Sequence, residues 1–229
     1  MFKKIFLTLL ALTGLATSDG FNTPASVQTD GTASTLGCVY PYSSGRRLPS
    51  ISDYDDIIRA ASEAEGMDWR LMSAIAYHES RFEAAIVSRR GAVGLMQIMP
   101  VVCRHLSIEN ADLSDPMTNV RVAGKLLNEI ERMLGIPADV PYADRMSIVL
   151  ASYNGGVGHV ADARRLARSA GENPDSWEVV ARYLKLQSTP EYYTRPEVRS
   201  GRFTGVRQTT TFVNEVMSRY EHYRSMTRI

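Results

Sequence analysis

From Ile51 onward the apolar residues recur at helical spacing almost without interruption, whereas the stretch before it has little periodicity. Ser52 is placed to cap a helix running to about Glu65, with Ile57, Ile58 and Ala61 on one face and Gly66 to end it. Asp68 caps the next, Trp69 to about Ser80. A third spans Pro116 to Leu134, with Asp115 as cap, Gly135 as stop and Val120, Ala123, Leu127, Ile130 and Leu134 as its stripe. Further helices are predicted from Tyr142 to Tyr153, Val160 to about Ala170, Ser176 to Leu186 and Thr211 to about Met226. Gly155, Gly156 and Gly158 are expected to break the chain between the first two of these. EYYTRPEVRSGRFTG reads as a long polar and aromatic loop before the last helix. No useful run of alternation appears, so the domain is predicted to be mainly α, with at most a small hairpin around Val87 to Leu95.

The N-terminal region differs. Residues 1–18 carry two lysines, a short apolar run from Ile5 to Ala16 and then small residues, the layout of a secretory signal peptide. That run is shorter than the roughly 20 apolar residues that a bilayer core requires. Residues 19–49 are rich in Ser, Thr, Gly and Pro and read as a flexible leader, which leaves 50–229 as the folded domain. The expected product is therefore exported to the periplasm or cell envelope, with weak membrane association or none. Loss of residues 1–18 removes Lys3 and Lys4 and no acid, taking the net charge from +1 to −1. Such a balance lacks the basic excess with which duplex-binding proteins neutralise phosphates, so nucleic acid is not an expected partner. The two cysteines, Cys38 and Cys103, are able to pair in an oxidising compartment. Cys38 also follows Thr35, Leu36 and Gly37, a faint lipidation pattern lying far beyond the apolar run.

Candidate chemistry begins with Glu79. Leu71, Ile75 and Glu79 are four apart, so an ionisable group falls on the face that otherwise points to the core. Burial and the negative end of the helix dipole both favour its neutral form, which suits an acid that protonates a leaving oxygen near neutral pH. Alternatively, Glu79 forms an ion pair with Arg81 or Arg90, or sits at an exposed helix end. A metal site of the His-Glu-x-x-His kind is not met, because Phe82 stands at the second histidine position, and no cofactor is expected.

The residues after Glu79 narrow the choice. HESRFEAAIVSRRGAVGLMQIMP resembles the signature of the soluble-type lytic transglycosylases: glutamate and serine, then a further serine, a Gly-Ala pair and a Gly-Leu-Met-Gln turn. LSDPMTNVRVAGKLL is similar to that family's Asp-Pro-x-x-Asn helix start, and LASYNGGVGHV to its Ala-Tyr-Asn-Gly segment. TTTFVNEVMSRYEHY looks like the closing helix, with Phe212 where a tyrosine is common.

The resemblance implies a lysozyme-like helical domain of the goose-type lysozyme and transglycosylase kind. It also implies cleavage of peptidoglycan glycan strands by a single catalytic glutamate, Glu79, without metal. Ser88, Gly94, Met96, Gln97, Tyr153 and Asn154 match positions around the substrate. Read from spacing alone, Tyr153 is also a core tyrosine, Asn154 a helix cap, Gln97 a turn-satisfying amide and Met96 a packing residue. A hydrolytic lysozyme on the same fold would need a second acid, for which Glu83, Asp112 and Asp115 are the nearby candidates. A catalytically inactive wall-binding scaffold is the third reading. A restraining protein partner in the envelope machinery is compatible with any of them.

Overall fold

The computed structural model describes residues 50–227. The expected signal peptide and leader, Cys38 and hence both readings of Cys38 lie outside those residues. Nine helices are found among them: α1 (Asp55–Ala64), α2 (Trp69–Ser80), α3 (Pro100–His105), α4 (Pro116–Leu134), α5 (Tyr142–Gly155), α6 (Val157–Ser169), α7 (Trp177–Leu186), α8 (Pro190–Tyr193) and α9 (Val206–Met226). No strand is present among the described residues. The hairpin foreseen near Val87 reduces to two isolated antiparallel bridges, Val87 to Val93 and Val93 to Ile98.

Local chemistry explains the ends. The Asp68 carboxylate accepts from Arg70 N at the start of α2, and that of Asp115 from Thr118 N at the start of α4. Gly135 closes α4 in the left-handed conformation, where glycine carries no Cβ penalty. Ser52 does not cap α1. Instead the Asp55 carboxylate, inside the first turn, accepts from the amides of Ile51 and Ser52, and the cap position falls at Tyr54, two residues later than Ser52.

α5 is the central helix. Its residues from Met146 to Gly155 are all buried, and it packs against α4, α6, α7 and α9. α2 lies along α9 and beside α1, sinking Leu71, Met72 and Ile75 completely. Each such side chain contributes about 1.5–3 kcal/mol through burial.

Of the three glycines expected to break the chain after α5, only Gly156 does, at φ 98°. Gly155 remains helical, and a glycine is needed there for close approach: a Cβ would meet Thr209 Oγ1 at 2.8 Å and Phe203 Cζ at 3.1 Å. Phe203 belongs to the segment expected to be a polar loop. That segment holds the short helix α8 and is pinned by the buried carboxylate of Asp162, which accepts from Arg199 N at 3.0 Å and Ser200 N at 2.7 Å. No helix among the described residues is long and apolar enough to cross a membrane.

Candidate active site

Glu79 occupies the last turn of α2, four residues beyond the fully buried Ile75. The chain then turns sharply, because Arg81 and Phe82 both adopt positive φ, at 56° and 66°. Such conformations cost on the order of 1 kcal/mol or more each for non-glycine residues and persist only where the surroundings impose them. Here Arg81 stacks over the Tyr77 ring at 4.2 Å, and Phe82 meets that ring edge-on at 5.8 Å.

The alternative reading, an ion pair of Glu79 with Arg81 or Arg90, is not met. Arg81 is engaged with Tyr77, and no salt bridge or hydrogen bond to the Glu79 carboxyl exists among the described residues. Burial without a compensating cation penalises the anion, and the Glu79 pKa is raised from 4.5 to about 8. At neutral pH the side chain is a neutral acid with a proton to give.

The loop from Ser88 to Ile98 is shaped by three side chains and one glycine. Ser88 Oγ accepts the amides of Ala92 at 3.0 Å and Arg90 at 3.4 Å, which leaves its own hydroxyl proton unassigned within the turn. Gln97, at φ 48°, donates Nε2 to the carbonyls of Gly94 at 3.0 Å and Ile86 at 3.3 Å, keeping its Oε1 as an acceptor. Asn119, buried in the first turn of α4, accepts from Met96 N at 2.8 Å and donates to the carbonyls of Val93 and Leu113 at 2.8 and 2.9 Å. Gly94, at φ 78°, permits this: a Cβ there would meet Asn119 Nδ2 at 2.6 Å and the Leu113 carbonyl oxygen at 2.9 Å.

Tyr153 completes the arrangement from α5. It is buried and donates its hydroxyl to the Met96 carbonyl at 2.7 Å. The phenol is held well above its ordinary pKa, first by burial and then by the charge of Glu79, which marks the two as neighbours. Phe212 of α9 lies between the Tyr153 ring, stacked at 6.2 Å, and the His78 ring, met edge-on at 4.7 Å. His78 Nε2 in turn approaches the Glu215 carboxylate at 3.2 Å. Asn154 accepts from Thr209 Oγ1 at 3.0 Å, and its buried Nδ2 has no partner among the described residues.

Ser88, Gly94, Met96 and Gln97 thus share one turn to which Tyr153 is bonded, whereas Asn154 is bonded to Thr209 of α9 instead. The Met96 side chain is fully buried, and only its main chain takes part in the bonds described. Asn119 and Thr209 were not singled out from the sequence. The first was visible only as the final letter of the Asp-Pro-x-x-Asn pattern, and nothing near Thr209 signalled its contact with Asn154, 55 positions earlier.

Fold and site together define a mainly α, lysozyme-like domain with an uncharged glutamic acid at a helix end. The family model described as the transglycosylase SLT domain matches residues 56–176, more than half of the chain, and the chain belongs to that family. Among similar curated proteins, the membrane-bound lytic murein transglycosylase F of Alcanivorax borkumensis is 34% identical over 175 residues, covering 76% of this chain and 35% of the relative. That of Marinobacter nauticus is 37% identical over 149 residues, covering 65% and 28%. The chain spans about a third of the length of the curated relatives it matches. In fold it is similar to the X-ray structure of an inactive mutant of the lytic transglycosylase Slt from Pseudomonas aeruginosa. The TM-score is 0.50 at 18% identity, over 77% of this chain and 25% of that one.

Proposed function

We propose that this protein is a peptidoglycan lytic transglycosylase of the cell envelope, with Glu79 as its single catalytic acid/base and residues 1–18 as its export signal. The bond cut is the β-1,4 link between N-acetylmuramic acid and N-acetylglucosamine. Glu79 gives its proton to the glycosidic oxygen as the bond to C1 breaks. The resulting carboxylate takes the proton of the muramic acid's own C6 hydroxyl, whose oxygen bonds to C1 and closes a 1,6-anhydro ring. No water is consumed, and Glu79 ends protonated as it began.

The observation that carries this reading is the electrostatic isolation of Glu79. Two-carboxylate glycosidases hold their acids about 5–9 Å apart, close enough for each to perturb the other. The pKa of Glu79 is raised by burial alone, without a contribution from another carboxylate. The candidates for a second acid have other roles. Asp115 caps α4, Asp112 accepts from Ser114, which holds its carboxyl below the ordinary range, and Glu83 is exposed. An intramolecular hydroxyl held in position has high effective concentration, so it can stand in for a second carboxylate and its activated water.

In the bound complex, Ser88 supplies a hydroxyl donor and Gln97 an amide acceptor to the sugar. Gly94 and Met96 form the backbone against which it lies, and Tyr153 and Asn154 set the opposite wall. Digestion of purified peptidoglycan by wild type and Glu79→Gln tests the assignment. Solubilisation by the wild type with loss of activity in the variant is expected, and equal rates would overturn it.

A further inference from the structure

A second concavity lies at the far end of α2. Glu79 stands 11 residues beyond the Asp68 cap, about 16 Å along the helix at 1.5 Å per residue. The groove has a volume of about 280 Å³ and is lined by Asp68, Asn128, Glu131, Tyr142, Arg145 and Tyr220, among others. Helices α4, α5 and α9 and the start of α2 all contribute to it, so its walls are fixed by the core.

Its chemistry is selective. Tyr142 is 38% exposed, one of the few large hydrophobic residues presented to solvent. Its ring is fixed against Tyr220 at 5.9 Å and by the Arg145 guanidinium at 5.7 Å. Tyr220 donates to the Asp68 carboxylate at 3.0 Å, and Arg145 pairs with Glu131 at 3.3 Å. Within this framework Arg145 Nε is buried and has no partner among the described residues, a donor left without an acceptor. Asn128 donates one amide proton to the Glu65 carbonyl at 2.8 Å, which leaves its second proton and its own carbonyl oxygen for a ligand.

Asp68 is paired by Arg70 at 3.5 Å and Glu131 by Arg145 at 3.3 Å, so among the described residues the groove offers no unpaired cation to hold a phosphate or a free carboxylate. An aromatic face flanked by carboxylate and amide acceptors and one guanidinium donor suits a neutral polyol, stacked by its apolar face and hydrogen-bonded at its rim. We infer that this groove is a second saccharide site, taking an uncharged N-acetylhexosamine of a glycan strand apart from the strand being cut. The inference rests on the proposed function, which supplies the glycan. Its role is to hold the enzyme on insoluble wall while Glu79 acts elsewhere.

The test uses the full chain carrying Glu79→Gln, so that ligand survives, and titrates it with the β-1,4-linked tetramer of N-acetylglucosamine while following backbone amide resonances. Shifts at Tyr142, Arg145 and Asn128 are expected, distinct from any around Glu79 and Gln97. Adding Tyr142→Ala weakens that second event about tenfold or more. Asn128→Arg, which fills the groove from an exposed position and spares the packing under Tyr142, does the same. In the otherwise wild-type enzyme, either change lowers the rate on insoluble sacculi severalfold and leaves the rate on short soluble glycan fragments within about twofold. Shifts confined to the Glu79 end, or equal binding in both variants, would overturn the inference. A wild-type enzyme that cuts no peptidoglycan would instead overturn the reading on which it rests.

Discussion

The hydroxyl of Tyr153 donates to the main-chain carbonyl of Met96 across 2.7 Å, so the end of the central helix α5 and the turn after Gly94 are held as one piece. The charge of Glu79 acts on that phenol and, with burial, holds its pKa high. The bond thus joins, through the candidate acid's neighbour Tyr153, two segments that sequence separates by more than fifty residues.

Removing that bond changes catalysis through placement. Tyr153→Phe leaves the Met96 carbonyl buried without a donor, at a cost of about 1–3 kcal/mol. The midpoint of thermal unfolding is expected to fall, and kcat to fall about tenfold or more. A variant with unchanged kcat would show that the clamp does not position the site.

Asn119 makes three bonds to this turn, to Met96 N and to the carbonyls of Val93 and Leu113. Asn119→Ala orphans all three groups and is expected to cost at least about 2–3 kcal/mol by chemical denaturation. Gly94→Ala attacks the same contact from the other side, since its Cβ would lie 2.6 Å from Asn119 Nδ2 on a backbone at φ 78°. A comparable loss is expected, and combining the two should fall short of additivity because both break one interaction.

The stretch that the sequence left least legible is the one fixed by distant partners. Most helix ends were readable because their causes are local: Asp68, Asp115 and Gly135 act within a turn of themselves. The α1 start was misread for an equally local reason, because Asp55 outcompetes Ser52 for the free amides. By contrast, the fold of residues 187–205 depends on Asp162 and on Gly155, neither of which carries a pattern announcing that role. Glu79 itself was legible as an acid on an apolar stripe. That Arg81 would turn to Tyr77 and leave the acid unpaired was not, since it depends on the positive φ of Arg81 and Phe82.

Activity should depend on pH through the proton on Glu79. The acid must hold its proton to protonate the leaving oxygen, so kcat/KM is expected to fall as pH rises through about 8. A profile falling with a midpoint near the ordinary glutamate value of 4.5 would show that burial does not control the acid.

The same group links stability to pH. Between 4.5 and about 8 the folded chain keeps a proton that the unfolded chain has released, so rising pH favours unfolding. The contribution of Glu79 is intact below 4.5 and is lost as pH climbs through about 8, on the order of a few kcal/mol. Glu79→Gln has no proton to lose. Its stability relative to wild type should therefore grow across that interval, and parallel stability curves for the two proteins would contradict the raised pKa.

The central claim is that one glutamic acid cuts the strand and the sugar's own hydroxyl, not water, completes the reaction. Mass spectrometry of the muropeptides released from purified sacculi in oxygen-18 water tests it most directly. The account predicts anhydromuramic termini that carry no label, and their absence with Glu79→Gln. Reducing muramic termini carrying oxygen-18 would contradict it and assign the attack to water.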